Sequence, residues 1–239
     1  MDSLYIVMPA YNEETNIEKT IREWYKIVNK VNFENKNDLS RLVVFNDGSK
    51  DKTLEIASSL VKDMPFLTVI DKQNSGHGPT VIQAYNYAIK SKAKFVFMTD
   101  SDGQTNPKEF DIFWNKRNEY NAIFGVRKVR GDGRFRKFVE QVVCLLLRII
   151  FGVKVKDANA PFRLMNVSCL SKYINRIPNN YNLPNIMITA FFAFYNEKIC
   201  FQEISFNKRS AGKNSINYKR IFKIGCKALI DFYKFKKSM

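Results

Sequence analysis

Two aspartates separated by one residue, Asp100 and Asp102, follow an apolar run and are the clearest candidates for chemistry in the chain. Alternate residues of an extended chain point the same way and lie roughly 7 Å apart, so both carboxylates can face one spot. Carboxylate oxygens are hard ligands that suit Mg²⁺ or Mn²⁺, with waters and substrate phosphates completing the shell. Gln104 has the same parity and adds an amide oxygen. The spacing therefore predicts a divalent metal site at Asp100, Asp102 and Gln104 that neutralises a diphosphate leaving group.

The segments that must position these residues alternate between strand and helix patterns. The predicted strands cover 4–8, 42–45, 67–70 and 95–98, and the predicted helices cover 14–28, 53–60 and 80–89. This alternation predicts an α/β fold, a doubly wound and mostly parallel sheet with helices on both faces. In such sheets ligands bind beyond the carboxyl ends of the strands. Three polar clusters fall there, at 11–13, 46–47 and 100–102.

Charge divides the chain into two unlike halves. Residues 1–120 contain 16 Lys and Arg against 17 Asp and Glu, whereas residues 121–239 contain 23 against 6. Such asymmetry indicates an anionic partner for the second half, either an acidic lipid surface or a nucleic acid. A basic surface without a partner is the alternative.

Two segments of the second half are candidates for contact with a membrane surface. Val139–Val153 is strongly apolar but shorter than the roughly 20 residues of a membrane span, which predicts a buried core helix or an interfacial one. Tyr218–Tyr233 carries Lys219, Lys223 and Lys227 on one helical face and apolar side chains on another, as a basic amphipathic helix does. We therefore predict a catalytic domain over 1–215, an amphipathic C-terminal helix over 216–239, and a cytoplasmic protein bound peripherally to the anionic inner face of the membrane. The alternative is a soluble protein whose apolar segments form core or a homo-oligomer interface.

Four short motifs resemble, in their order along the chain, those of family 2 glycosyltransferases. They are Val7–Glu14, Val44–Ser49, Asn74–Gly78 and Asp100–Gln104. The resemblance is closest to the branch of dolichol-phosphate mannose synthases and bacterial polyprenyl-phosphate glycosyltransferases, and it covers roughly residues 3–215. It implies a GT-A fold, a Rossmann-like sheet with a site for a nucleotide-sugar donor.

The resemblance also implies roles for individual residues. The implied donor-binding residues are Pro9, Tyr11, Glu13, Phe45, Asp47, Asp100, Ser101, Asp102, Arg127, Arg209 and Lys213. Asp102 and Gln104 would contact the metal. The implied catalytic residues are Asp157, Arg127 and Arg163, in segments similar to those that the family places near the reaction centre.

The mechanism that the resemblance implies is direct displacement at the anomeric carbon with inversion, in bacterial-type surface glycan synthesis. A lipid phosphate acceptor, with its second pKa near roughly 6, is already ionised and needs no protein base. A sugar hydroxyl needs a base, and Asp157 is the candidate. We therefore predict a polyprenyl-phosphate or lipid-linked acceptor and no nucleic-acid partner.

Three other functions remain open from the sequence. A soluble glycosyltransferase could act on a sugar hydroxyl of another acceptor. A basic protein could bind nucleic acid without catalysis, which the charge of the second half would suit. An α/β domain with an inactive site is the third possibility.

Overall fold

A computed structural model describes residues 2–36, 39–130, 134–207 and 218–237 of the chain. These residues form one sheet of seven strands in the order β3-β2-β1-β4-β6-β5-β7. The strands are β1 (Leu4–Ala10), β2 (Arg41–Asp47), β3 (Leu67–Lys72), β4 (Phe95–Thr99), β5 (Ala122–Arg130), β6 (Phe162–Asn166) and β7 (Ile199–Phe206). β6 runs antiparallel to both of its neighbours, and the other adjacent pairs are parallel. The predicted α/β class and mostly parallel sheet are confirmed.

The helices connect the strands and cover the sheet. They are α1 (Ile17–Asn35), α2 (Thr53–Ser59), α3 (His77–Lys90), α4 (Phe110–Asn115), α5 (Arg134–Phe151), α6 (Val167–Ile174), α7 (Pro184–Phe194) and α8 (Tyr218–Lys237). Short 3₁₀ turns extend α2 at Leu60–Asp63 and precede α4 at Pro107–Glu109. The predicted helices at 14–28, 53–60 and 80–89 match α1, α2 and α3, with ends that shift by several residues.

Both faces of the sheet are buried, as a doubly wound fold requires. In β4, Phe95 and Phe97 pack into the core beneath α1 and α4, whereas Val96 and Met98 pack into the core beneath α3 and α7. Successive residues of a strand point to opposite faces, so a continuous apolar strand supplies both cores. This arrangement fixes β4 between two helical layers and projects its polar end at the sheet edge.

The strands after residue 120 were not predicted, and β6 explains how they join the sheet. Its first residue, Phe162, meets Phe97 of β4 edge to face, with ring centroids 4.7 Å apart. The Trp24 ring of α1 lies 5.8 Å from the Phe162 ring. Because β6 is antiparallel to β4 and pairs Thr99 with Phe162, its first residue lies beside the end of β4.

Helix α5 has a buried face and an exposed apolar face. Leu147, Ile150 and Phe151 are buried, whereas Leu145 is 55% exposed and Ile149 is 67% exposed. The segment predicted as either core or interfacial therefore combines both characters. Within the described residues, no helix is both long and apolar enough to cross a membrane.

The C-terminal helix packs against the rest of the fold. In α8, the Phe232 ring lies 6.0 Å from Phe151 of α5, and the Phe235 ring lies 5.9 Å from Phe191 of α7. A helix, α8, covers Tyr218–Lys237 within the segment 216–239, and the predicted basic amphipathic character of that segment stays a prediction. The proposed domain boundary at 215 falls outside the described residues.

Candidate active site

The loops that follow β1 and β2 are joined by hydrogen bonds between side chains and backbone. The Asn12 N–H donates to Ser49 Oγ (3.0 Å), and the Lys50 N–H donates to Asn12 Oδ1 (2.8 Å). The Glu13 N–H donates to Thr53 Oγ1 (2.7 Å). This network holds Tyr11 at the carboxyl edge of the sheet, where its side chain is exposed.

Asp47 ends β2 and binds the loop that leads into α3. Its Oδ1 accepts from the Ser75 N–H and its Oδ2 from the Gly76 N–H, both at 2.8 Å. Lys72, which pairs with Asp47 in the β2–β3 register, forms an ion pair with the same carboxylate. Burial alone would raise the pKa of Asp47, but the hydrogen bonds from Lys72 and Ser75 outweigh it and hold that pKa below its ordinary value. The predicted contact of Asp47 with the nucleotide-sugar donor stays a prediction, and its observed contacts fix the start of α3.

The segment after β4, residues 100–104, forms a turn that brings the two aspartates to the sheet edge, and we call it the aspartate turn. The Ser101 hydroxyl donates to the Pro9 carbonyl oxygen (2.9 Å), which ties this turn to the end of β1. The Gln104 N–H donates to Asp102 Oδ1 (3.1 Å). Asp100 and Asp102 are both partly exposed, whereas Ser101 is buried. The predicted neighbourhood of Pro9, Ser101 and the two carboxylates is therefore present.

Gln104 is held by the end of β7. Its side-chain Nε2 donates to the Asn207 carbonyl oxygen (2.8 Å), and the Asn207 N–H donates to the Gln104 carbonyl oxygen (2.9 Å). An amide binds a hard metal through oxygen, so Gln104 would use Oε1 as a ligand. Its place in the metal site stays a prediction, and its observed contacts fix the shape of the aspartate turn.

The donor set after β4 fits a hard divalent cation. Mg²⁺ is usually held by one or two carboxylates together with waters and substrate phosphates. Asp100 and Asp102 supply two carboxylates just beyond the end of β4, in the turn that the Ser101 hydroxyl ties to the Pro9 carbonyl oxygen. The described residues contain no group of three or more His, Cys, Asp or Glu side chains suited to a metal. Asp100 and Asp102 would hold such a cation together with waters and a phosphate-bearing ligand.

Arg127 lies in the second half of β5 and meets Asp157, which lies in the segment before β6. Arg127 Nε donates to Asp157 Oδ2 (2.8 Å) and Arg127 Nη2 donates to Asp157 Oδ1 (2.9 Å). The Asn159 N–H adds a bond of 3.1 Å to the same carboxylate. Burial would raise the pKa of Asp157, but the hydrogen bonds and charge of Arg127 hold it below its ordinary value. A lowered pKa makes a carboxylate a weaker general base.

A second buried carboxylate, Glu140 of α5, completes this cluster. Its Oε2 lies 3.4 Å from Arg127 Nη2, and its Oε1 accepts from the Ala158 N–H (2.7 Å). Burial and the nearby charge of Asp157 raise the pKa of Glu140. Sequence reasoning did not assign Glu140 to the site, although a carboxylate inside an apolar helical segment was a usable signal.

Arg163 and Phe45 lie beneath the sheet edge rather than on it. Arg163 is fully buried, and its guanidinium donates to the carbonyl oxygens of Asn185 (2.9 Å) and Ala158 (3.1 Å). It also lies over the Phe124 ring, 4.5 Å from the centroid. Phe45 is buried and meets the Tyr87 ring at 5.8 Å. These positions favour a positioning role for Arg163 and a packing role for Phe45 over direct contact with a donor.

The structure thus brings most of the predicted residues to one edge. The end of β1 supplies Pro9, Tyr11 and Glu13, β2 supplies Asp47, and β4 supplies the aspartate turn. The β5–β6 side supplies the Arg127–Asp157 pair. Arg209 and Lys213 lie outside the described residues. Among the described residues, Lys72 and Glu140 are charged neighbours that the sequence did not identify.

Comparison with known proteins finds a family match along nearly the whole chain. The model of the family described as Glycosyl transferase family 2 matches residues 5–238. A dolichyl-phosphate beta-glucosyltransferase, ALG5D of Trichomonas vaginalis, is 27% identical over 184 residues, which cover 71% of this chain and 55% of the relative. The dolichyl-phosphate beta-glucosyltransferase of Dictyostelium discoideum is 26% identical and matches 69% of this chain and 54% of the relative. The chain therefore spans little more than half the length of these curated relatives.

The fold is also shared with solved structures. Glucosyl-3-phosphoglycerate synthase from Mycobacterium tuberculosis, in complex with Mn²⁺, uridine-diphosphate-glucose and phosphoglyceric acid, has a TM-score of 0.70 to this chain. The two are 16% identical, and the match covers 100% of this chain and 80% of the other. At this identity the likeness concerns the fold.

Proposed function

This chain belongs to glycosyl transferase family 2, and we propose that it moves a sugar from a nucleotide-sugar donor to a polyprenyl-phosphate acceptor. The observation that carries the proposal is the aspartate pair after β4, placed at the carboxyl edge beside the loops of β1 and β2. The names of the curated relatives support the acceptor class, since they are dolichyl-phosphate glucosyltransferases. They also make a glucose donor the first to test. The bacterial-type surface-glycan setting stays a prediction.

We propose that the aspartate turn binds the donor diphosphate through a divalent cation. A bound Mg²⁺ or Mn²⁺, held by Asp100 and Asp102 with Gln104 as a further candidate, would stabilise the negative charge of the departing nucleoside diphosphate. The solved neighbour with Mn²⁺ and uridine-diphosphate-glucose supports the use of a divalent cation. The Ser101–Pro9 hydrogen bond keeps the turn against the end of β1, where the nucleoside is proposed to bind.

The residues around Asp157 support a phosphate acceptor over a hydroxyl acceptor. In the proposed step an acceptor phosphate oxygen forms a bond to the anomeric carbon while the bond from that carbon to the diphosphate oxygen breaks, with inversion. A phosphate with a second pKa near about 6 is already ionised at neutral pH and releases no proton in this step. Asp157 is buried and paired with Arg127, which makes it a weak base for a hydroxyl acceptor. The proposed transfer to a phosphate needs no general base.

A panel of donors and acceptors tests this function. The chain is incubated with Mn²⁺, sugar nucleotides that include UDP-glucose, and either a short polyprenyl phosphate or the matching polyprenol. We expect one hexose to be added to the phosphate and none to the polyprenol, as detected by mass spectrometry of the lipid extract. Transfer to soluble sugar hydroxyls instead would favour the alternative acceptor. No donor consumption under any condition would favour a non-catalytic protein.

The exposed apolar face of α5 supports a peripheral position on the membrane. Phe138, Leu145 and Ile149 lie on one side of the helix and are 60%, 55% and 67% exposed. On the neighbouring helix α8, Ile230 and Tyr233 are also exposed. The large excess of positive charge in residues 121–239 complements anionic lipid, where each near-surface Lys or Arg contributes about 1 kcal/mol. We therefore place this face on the anionic cytoplasmic leaflet, where a polyprenyl phosphate would be reached.

Vesicle co-sedimentation tests the membrane surface. Binding should rise with the fraction of anionic lipid and fall with added salt. Ile149→Glu should weaken binding about tenfold or more, because it removes an apolar side chain from the interface and adds a negative charge. The matched control is Phe33→Glu, which changes an 85% exposed aromatic residue of α1, on the other side of the sheet.

The outcome separates the membrane surface from the enzyme. Equal vesicle binding by Ile149→Glu and Phe33→Glu would show that the outer face of α5 does not contact the membrane. The absence of binding at low salt would overturn the peripheral position, while leaving the sugar transfer to be judged by the panel. The lysine face of α8 stays a prediction, because the side chains of Lys219, Lys223 and Lys227 lie outside the described part. The predicted homo-oligomer also stays a prediction.

A further inference from the structure

Glu140 lies on the side of α5 opposite the exposed apolar face. With 100° of rotation per residue, positions 138, 145 and 149 cluster on one side of the helix, and position 140 falls across from them. The Glu140 side chain is only 13% exposed. The same helix therefore presents an apolar surface outwards and a single carboxylate inwards, at the level of the candidate active site.

The Glu140 carboxylate joins three segments of the chain. Its Oε1 accepts from the Ala158 N–H (2.7 Å) in the segment before β6 and lies 3.4 Å from Cys144 Sγ in α5. Its Oε2 lies 3.4 Å from Nη2 of Arg127 in β5. Arg127 is thereby enclosed by two carboxylates, since Asp157 binds its Nε and Nη2.

A carboxylate at this position is unfavourable for packing alone. Burial of a charge costs free energy unless it is paired and hydrogen-bonded. An apolar side chain would extend the buried face that Leu147 and Phe151 form. Glu140 contacts Arg127, which binds Asp157, and Ala158, which follows Asp157 in the chain. We therefore expect a substitution of Glu140 to disturb the candidate active site more than the apolar core.

We propose that Glu140 is a positioning residue: it fixes Arg127 and the Asp157–Asn159 turn for sugar transfer, and it ties their geometry to α5. This inference rests on the proposed function, because α5 is the helix whose outer face is proposed to meet the membrane. It extends that function because the position of the Arg127 guanidinium would depend on the position of α5 on the membrane surface.

Substitutions of Glu140 test the inference. The readouts are transfer from UDP-glucose to a short polyprenyl phosphate, with and without phosphatidylglycerol vesicles, and thermal unfolding. We expect Glu140→Ala to lower kcat about 10- to 100-fold, since small misplacements at a reacting centre have effects of this size. The donor KM should change less than about threefold, because the contact matters mainly in the transition state. Stimulation by vesicles should be lost, while vesicle binding persists.

Two further variants make the result specific. Glu140→Gln keeps the size of the side chain but can satisfy only one of the Ala158 N–H and Arg127 contacts, so its kcat should lie between those of wild type and Glu140→Ala. Gln141→Ala changes an exposed neighbour on the same helix and should behave as wild type. If Glu140→Ala unfolds, Glu140→Gln decides the question.

The inference is overturned if folded Glu140 variants keep the wild-type kcat and the wild-type stimulation by vesicles. It is also overturned if the wild-type enzyme is active and vesicles do not stimulate it. If the wild-type chain makes no glycolipid, the acceptor proposal fails instead. Hydrolysis of UDP-glucose by the same variants then tests Glu140, with the same order of kcat expected.

Discussion

Replacing Asp102 by alanine is expected to lower sugar transfer at least about 100-fold while the chain stays folded. Asp102 is a partly exposed residue at the end of β4, and its Oδ1 accepts a backbone hydrogen bond from Gln104 (3.1 Å). The substitution removes one of the two carboxylates proposed to hold the cation and leaves both apolar cores unchanged. Turnover of UDP-glucose over a Mn²⁺ titration measures the effect on catalysis. Calorimetry of Mn²⁺ binding in the presence of UDP measures the site independently of turnover.

The control for this prediction is Asp111→Ala. Asp111 is an exposed aspartate of α4 whose partner is Lys30, at 2.7 Å. An exposed ion pair of this kind stabilises a protein by less than about 1 kcal/mol, so this variant should keep wild-type turnover and Mn²⁺ affinity. Near-normal turnover of Asp102→Ala at saturating Mn²⁺ would exclude Asp102 from the proposed metal site.

The first half of the fold could be predicted because its strands are continuous apolar runs. Each of the runs at 4–8, 42–45, 67–70 and 95–98 matches a strand of the sheet, and each ends in polar or turn-forming residues. Gly48 illustrates the local signal: its φ of +63° lies in the left-handed region, which favours glycine in the turn after β2. Such signals are contained within a few residues and need no knowledge of distant contacts.

The second half depends on distant contacts, and β5, β6 and β7 were not predicted for that reason. β6 contains a fully buried arginine, Arg163, which reads as a surface residue in sequence. Its burial depends on carbonyl oxygens of Ala158 and Asn185, which α7 and the segment before β6 bring to it. β7 contains Gln202 and Glu203 in its centre, so its apolar pattern is weak.

The site shows the same division. The placement of Asp100 and Asp102 at the sheet edge followed from the run of β4. The parity argument assumed an extended chain, whereas residues 101–103 form a turn, so a shared target of the two carboxylates stays a prediction. The partners of the other charged residues did not follow, because they come from segments far apart in sequence. Lys72 meets Asp47 through the β2–β3 register, and Glu140 meets Arg127 through the packing of α5.

These contacts change what the charged residues can do. Arg127 was expected to bind the donor, yet its guanidinium is bound by Asp157 and approached by Glu140. The cluster contains two carboxylates and one guanidinium, so its positive charge is largely offset. Its observed contacts hold β5, α5 and the segment before β6 together. A substitution in this cluster should therefore affect both stability and catalysis.

Asp157→Asn is expected to lower transfer about 100-fold or more and to reduce the free energy of unfolding by about 3 kcal/mol at pH 7. Removal of one partner from a buried pair leaves the other charge inadequately compensated, and here that charge is Arg127. The pKa of Glu140 should fall in this variant, because the like charge of Asp157 that raises it is gone. Arg127 should then bind Glu140 instead, which moves the guanidinium away from its wild-type position. Transfer assays and urea unfolding measure the two effects.

The pH dependence of stability gives this prediction a definite sign. The pKa of Asp157 is lower in the folded chain than its ordinary value of 3.8, so its contribution is complete above that value and is lost as the pH falls through the folded pKa. The difference in unfolding free energy between wild type and Asp157→Asn should therefore shrink only as the pH falls below about 3.8. The control is Glu203→Gln, which breaks the exposed pair with Lys128 and should change stability by less than about 1 kcal/mol. If Asp157→Asn were as stable and as active as wild type, the Arg127–Asp157 pair would have no part in holding the site.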